Sequence, residues 1–302
     1  MGVRYKMRNI FKNVRCGRKQ YDVSLEKYTT YKINTTAKII ITPRNIEELK
    51  KALNTIKKNN LKYKIIGNGS NLIFVNEIYD GVLIKLDSFD EMKIIKNKII
   101  VGAGYNLIKL TMKAANAELT GLEFASGIPG TVGGAIYMNA GAYKSDMGYI
   151  VESVEALNPE GEIVTLKNKD LDYHYRTSFF QKHKDYVILE ATLILRKGKK
   201  EAILELIKDR RLRRIETQPL EYPNAGSVFR NPEGDYAGRL IEECNLKGFN
   251  VNDAYVSEKH ANFIINKGNA SGKDIKNLIE KVQNEVKKKF NIELKNEQEI
   301  VE

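Results

Sequence analysis

The sequence predicts an α+β protein, and three observations predict it. Runs rich in Ile, Val and Leu recur at strand length along the first two thirds of the chain. Stretches with apolar residues at helical spacing separate some of them and dominate the last third. Residues 121–143 are dense in glycine and small side chains, which marks a structured loop rather than either regular element.

Residues 1–24 are basic and read as an N-terminal extension. Strands are expected at 38–42, 63–66, 72–75 and 82–86. Between the first two, Ile46, Leu49, Ala52, Leu53 and Ile56 repeat at helical spacing, and Asn45 followed by Glu48 supplies a capping pair. These elements make a first unit over 25–86. A second, 87–198, begins with a strand pair at 93–101 turning at Lys96-Asn97, then a helix at 107–117 leading into the glycine loop. Strands at 151–157 and 162–166 are joined by Pro159-Glu160-Gly161, and another is expected at 186–195. From residue 199 the pattern turns helical, at 202–215, 236–244 and 271–290. Ser271 with Asp274 three residues on caps the last of these. The domain boundary is therefore drawn at 199, leaving 199–302 as a third unit.

A chain of 302 residues, 42% hydrophobic, can bury the cores of two or three compact units. No apolar run approaches the roughly 20 residues that span a membrane, so no membrane partner is expected. Residues 1–20 lack the apolar core of a secretory signal, and Lys6 stands where a myristoylation motif needs Ser or Thr. Cys16 and Cys244 are too few for a disulfide framework, and a cytoplasmic location is the expectation. The formal charge of +12 comes from lysines spread through every segment, with no basic stripe interleaved with aromatics. Nucleic acid is not an expected partner; small anionic ligands suit this field.

Within eight residues, Gly127, Pro129, Gly130, Gly133 and Gly134 leave the main chain open to close approach. Successive N–H groups in such a loop form an anion site suited to a diphosphate. A tight turn between buried elements would use the same glycines. A second glycine loop, Gly67-Asn68-Gly69-Ser70-Asn71-Leu72, favours the phosphate-bearing ligand. Neither it nor Gly102-Ala103-Gly104 completes a dinucleotide fingerprint, because no third glycine follows. His174, His183 and His260 are isolated, so no metal is expected, and no Gly-x-Ser-x-Gly elbow is present. Arg176 suits either stabilisation of developing negative charge or a surface ion pair. The Ser227 hydroxyl suits proton donation or a turn cap. Arg210, Arg211, Arg213 and Arg214 either complement a helix C-terminus or clamp a diphosphate.

Taken together, the segments at 67–72, 121–143, 175–178, 224–232 and 257–262 resemble the UDP-N-acetylenolpyruvoylglucosamine reductases, flavoenzymes of cell-wall precursor synthesis. The run Gly-Ile-Pro-Gly-Thr-Val-Gly-Gly-Ala followed by Met-Asn-Ala-Gly-Ala carries most of the likeness, which spans about 25–302. The resemblance implies an α+β, FAD-binding PCMH-type two-subdomain fold plus a separate α+β substrate domain. Without room for a tyrosine-bearing insertion after Ser227, the chain is similar to the shorter subtype. Noncovalent FAD is the implied cofactor, NADPH the hydride-donating co-substrate, a UDP-sugar enolpyruvate the substrate, and a monomer the implied state. Hydride reaches the vinyl carbon C3 by way of the flavin, and protonation at C2 completes UDP-N-acetylmuramate.

By motif position the resemblance makes Arg176 the enolate stabiliser, Ser227 the proton donor and Glu297 the third catalytic group. It places FAD on Gly67, Asn68, Gly69, Ser70, Asn71 and Leu72, on Gly127, Ile128, Pro129, Gly130, Gly133 and Gly134, and on Asn139, Ala140 and Gly141. It places substrate on Tyr175, Arg214, Asn231 and Lys259. The chain departs from the family pattern at three points. Asn34-Thr35 replaces a Gly-Gly, Thr217 replaces a substrate-contacting lysine, and Gln298-Glu299 replaces Val-Arg beside Glu297. Added negative charge there would raise the Glu297 pKa. An oxidase of the same fold with covalently attached flavin would need a linking residue, yet no histidine precedes His174 and no cysteine lies between Cys16 and Cys244. A non-catalytic flavin binder is the other alternative, suggested by Thr217 and the altered tail.

Overall fold

A computed structural model describes residues 2–302; Met1, the start of the expected extension, lies outside the described residues. The chain divides into two compact units, one made of 1–21, 39–68 and 81–213, the other of 22–38, 69–80 and 214–302.

The first unit holds a five-stranded antiparallel sheet. Its strands run in the order Ile163–Lys167, Val151–Leu157, Val187–Ile194, Lys98–Gly102, Met92–Ile95. Both expected turns are present. Lys96 takes a φ of 57° between the last two strands, and the Asn158 side chain accepts from Glu162 N at 2.7 Å across the Pro159–Gly161 turn. Tyr63–Ile66 pairs in parallel with residues 82–85, and helix Ile46–Lys58 precedes it. That helix is capped by half of the expected pair. Asn45 Oδ1 accepts from Glu48 N at 3.0 Å, but the Glu48 carboxylate turns to Arg44. Hydrogen bonds from that side chain and backbone hold Glu48 below the usual carboxylate range. Ile39, Ile41, Leu49, Val82, Ile84, Val101, Leu107 and Val154 are fully buried in this unit's core. Each such side chain contributes about 1.5–3 kcal/mol by leaving water.

The basic stretch at 1–24 is not a bare extension. It forms helix Gly2–Phe11 and strand Arg18–Ser24. Met7, Ile10 and Phe11 recur at helical spacing among the basic residues; Met7 and Phe11 are buried and Ile10 packs against the same core. Lys19 Nζ donates to the carbonyls of Phe11 (2.8 Å) and Val14 (2.9 Å), where a cation offsets the dipole at the helix end. A second unexpected element is helix Val132–Tyr137, inside the glycine-rich run.

The second unit corrects the contiguous division at residue 199. Its C-terminal part begins within helix Lys200–Thr217, and it also takes in 22–38 and 69–80. Tyr31, Ile33 and Ile73 bury themselves in its core with Ile275, Leu278, Ile279, Val282 and Val286 of helix Gly272–Phe290. Strand Glu299–Val301 pairs in parallel with Leu72–Phe74. These pairings join residues more than 200 positions apart, which composition along the chain does not register. A three-stranded antiparallel sheet, Asn250–Val251, Ala254–Val256 and Ile264–Asn266, completes the unit.

Ser271 and Asp274 form the expected capping box: Ser271 Oγ accepts from Asp274 N at 3.1 Å, and Asp274 Oδ2 accepts from Ser271 N at 2.8 Å. Burial works to raise the Asp274 carboxyl, yet hydrogen bonds from Ser271 and Asn252 outweigh it and hold it low. A depressed carboxylate stabilises the fold above its unfolded pKa, and that stabilisation is lost as pH falls through the folded value. Ser271→Ala is expected to lower stability by about 1 kcal/mol at neutral pH. Urea unfolding across acidic pH checks this, the difference from the parent chain narrowing as pH drops. Among the described residues no helix is long and apolar enough to cross a membrane.

Candidate active site

In the first unit the two glycine loops abut. A methyl at Gly67 would lie 2.5 Å from Thr131 Oγ1, and Asn68 Nδ2 donates to the Pro129 carbonyl at 3.3 Å. Thr131 Oγ1 in turn caps helix Val132–Tyr137 by accepting from Gly134 N. Gly133 donates to the Ala103 carbonyl at 2.8 Å, so close that a side chain there would strike Ala103. Lys85, nearly buried, donates from Nζ to the Gly67 carbonyl at 2.9 Å. Because C=O and N–H of one peptide point in opposite directions, this turns the Asn68 N–H away from Lys85. Among the described residues, the N–H groups of Asn68, Gly127 and Thr131 donate to no other group of the chain. The loops thus hold up a set of unspent donors, as an anion site requires.

Arg176 is held by the segment that follows helix Val132–Tyr137. Its backbone is left-handed at φ 53°, Nη2 donates to the Gly141 carbonyl at 2.6 Å, and the guanidinium lies 5.0 Å from the centre of the Tyr175 ring. Tyr175 is half exposed. The buried Asn139 fastens this loop: Nδ2 donates to His174 O at 2.9 Å, and Oδ1 accepts from Gly148 N at 2.9 Å. Gln181 adds a bond from Nε2 to Arg176 O at 2.9 Å. The Asn139 side chain is thus a strut under Arg176, and Gly141 offers its carbonyl to the arginine.

In the second unit, Ser227 follows Gly226, whose φ is 76°. Ser227 lies in a short antiparallel bridge opposite Phe263. Its neighbours are tied closely. Gly226 N donates to Asn224 Oδ1, Val228 N to Asn262 O and Phe229 N to Asn262 Oδ1. Glu297 N donates to Val228 O at 2.8 Å, which fastens Glu297 to the residue next to Ser227. The Ser227 hydroxyl itself, half-buried, has no hydrogen-bond partner among the described residues. Turn capping, the alternative role for this serine, is not what it does. Asn71 Nδ2 donates to the Glu297 carbonyl at 3.0 Å and so also steadies the tail.

The remaining candidates divide in the same way. Leu72 is buried in its strand. Asn231 Oδ1 accepts from Ala237 N at 3.1 Å and caps helix Ala237–Glu243. Arg214 Nε donates to Gln218 Oε1 at 3.0 Å. Lys259 Nζ donates to Ile215 O at 2.6 Å, in the last turn of the helix that ends at Thr217. The buried Ser257, not among the expected residues, shapes this loop through its hydroxyl, which accepts from Lys259 N at 3.1 Å. Burial holds the His260 imidazole below its ordinary pKa. Its Nδ1 accepts from Asn262 N, so the neutral ring carries its proton on Nε2. Among the described residues no three His, Cys, Asp or Glu side chains cluster to hold a metal ion.

Comparison with known proteins decides the family. Residues 37–167 match the FAD binding domain, and residues 218–301 match the UDP-N-acetylenolpyruvoylglucosamine reductase C-terminal domain. The chain is 45% identical to the UDP-N-acetylenolpyruvoylglucosamine reductase of Clostridium novyi, over 93% of this chain and 91% of the relative. The chain belongs to the UDP-N-acetylenolpyruvoylglucosamine reductase family. A reductase of this family from Bacillus cereus is 42% identical over 94% of this chain and 95% of its own length. The crystal structure of UDP-N-acetylenolpyruvylglucosamine reductase from Thermus caldophilus superposes with a TM-score of 0.79 at 34% identity, covering 94% of this chain and 98% of that one.

As in the family, FAD is the cofactor, and the glycine loops of the first unit fit it. Gly130 is the test. Its φ lies outside the left-handed region, and a methyl there would meet nothing nearer than Ile128 Cγ2 at 3.9 Å. Neither conformation nor packing within the chain requires glycine at that point, which leaves the main chain there open to close approach by a group such as a diphosphate. Gly130→Ala is expected to leave the stability of the FAD-free protein unchanged while weakening FAD binding at least about tenfold, a loss of about 1.4 kcal/mol. Thermal melts of the stripped protein together with flavin fluorescence titration check both parts.

Proposed function

We propose that the chain reduces UDP-N-acetylglucosamine enolpyruvate to UDP-N-acetylmuramate with NADPH, a cytoplasmic step of peptidoglycan precursor synthesis. When bound, FAD supplies two-electron chemistry between NADPH and the enolpyruvyl double bond. Amide donors of the glycine loops hold its diphosphate. As negative charge grows on the pyruvyl carboxylate, the Arg176 guanidinium stabilises it; such preorganised donors are worth about 2.7–4 kcal/mol. Ser227 Oγ gives its proton to C2. Glu297, fastened beside it through Val228, is the third catalytic group. Tyr175, Arg214, Asn231 and Lys259 contact the substrate, and the Lys259 ammonium, two residues from Thr217 along the helix end, supplies the cation that Thr217 lacks.

The observation that carries the reading is the unspent Ser227 hydroxyl on a turn whose neighbours are tied. The test is NADPH oxidation followed by absorbance, with and without the enolpyruvyl nucleotide. Oxidation that depends on the nucleotide supports the reductase. Flavin bleaching by NADPH that the nucleotide does not affect would instead support an oxidase of the same fold, and no bleaching by NADPH a non-catalytic flavin binder.

A further inference from the structure

We infer that Gln298 is a positioning residue that aims the Ser227 hydroxyl, an inference resting on the proton-donor role proposed for Ser227. Gln298 is 3% exposed and every polar atom of its side chain is spent. Nε2 donates to the carbonyls of Ala225 (3.1 Å) and Gly226 (3.0 Å), and Oε1 accepts from Tyr31 Oη at 3.0 Å. Tyr31 is itself wholly buried, with its carbonyl bonded to Asn266 Nδ2 at 3.0 Å. Asn266 N closes the ring of contacts by donating to Pro223 O at 2.9 Å.

The consequence for Ser227 follows from peptide geometry. The Gly226 carbonyl, the Ser227 N–H and the Ser227 Cα belong to one planar unit, so anchoring the first fixes the others; with Val228 N tied to Asn262 O, both peptides that flank Ser227 are held and the Cα–Cβ direction is set between them. Gly226, lacking a Cβ, is the residue of this turn most able to rotate. Ala225 is buried, so water does not readily substitute as the partner of its carbonyl. Gln298, one of the departures from the family pattern beside Glu297, thus supplies a three-bond tie to this turn.

The test separates the two half-reactions in stopped flow. In Gln298→Met, of similar length but without donors, FAD content and flavin reduction by NADPH are expected to match the parent. Flavin reoxidation by the enolpyruvyl nucleotide is expected to slow roughly 100-fold, the effect of misplacing a catalytic group by about 1 Å. Its solvent deuterium isotope effect is expected to rise as protonation becomes limiting. Reoxidation within about threefold of the parent, or an equal loss in both half-reactions, overturns the inference. Should Gln298→Met fail to fold, Tyr31→Phe keeps both donors of Gln298 but frees its Oε1. Selective slowing of reoxidation in that variant supports the inference, and unchanged rates in both half-reactions overturn it. A parent protein whose flavin is not reoxidised by the nucleotide removes the functional reading instead.

Discussion

Ser227→Ala is expected to leave flavin reduction by NADPH at the parental rate and to slow reoxidation by the enolpyruvyl nucleotide about 10²–10⁴-fold, the range for a positioned proton donor. At 1.36 kcal/mol per decade, the barrier rises by about 2.7–5.5 kcal/mol. The structural cost is small, because the hydroxyl bonds to no described residue. Removing it orphans no partner, so the melting temperature should stay close to that of the parent. Stopped-flow traces of both half-reactions, with circular dichroism melts, are sufficient. Parental reoxidation in the alanine variant would take Ser227 out of the chemistry and leave Glu297, on the adjoining strand end, as the group to examine.

The second large effect is expected at Arg176. Arg176→Lys keeps the positive charge but replaces a planar fork of five donors with a flexible point charge. Loss of aligned donors at developing charge is expected to lower kcat about 10²–10³-fold. FAD binding should persist, because the glycine loops hold their contacts without the arginine. The guanidinium is aimed by Gly141 O, and its loop is fastened by Asn139 and Gln181. Its geometry therefore comes from several residues rather than from one. Steady-state kinetics distinguish the possibilities: a raised KM with unchanged kcat would mean that Arg176 binds substrate and nothing more.

Much of this could be read from residues in order. Runs rich in Ile, Val and Leu placed the strands of the five-stranded sheet, Lys96 marked one of its turns, and Asn45 and Ser271 marked the caps of two helices. The two glycine loops, Arg176 and Ser227 were legible as candidates because their chemistry is written in residue type and spacing. Helix Val132–Tyr137 was not, since glycine disfavours helix and only the Thr131 cap and the burial of Val132, Ala135 and Ile136 sustain it. Helix Gly2–Phe11 was hidden by its basic residues. Asn139, Asn71 and Asn231 each also tie a side-chain atom to a distant backbone group, a contact that residue type does not reveal.

The sequence by itself determined the local elements and the kinds of chemistry available, because hydrophobic period, caps and turn residues act over a few positions. Only the tertiary structure decided which polar atoms are spent and which are left to act. Tyr31 and Gln298 meet across 267 positions, and that tie gives a role to a glutamine that looked like a defect. Hydrogen-bond satisfaction is settled between distant segments as the core closes, so no local pattern reveals that the Ser227 hydroxyl is left over.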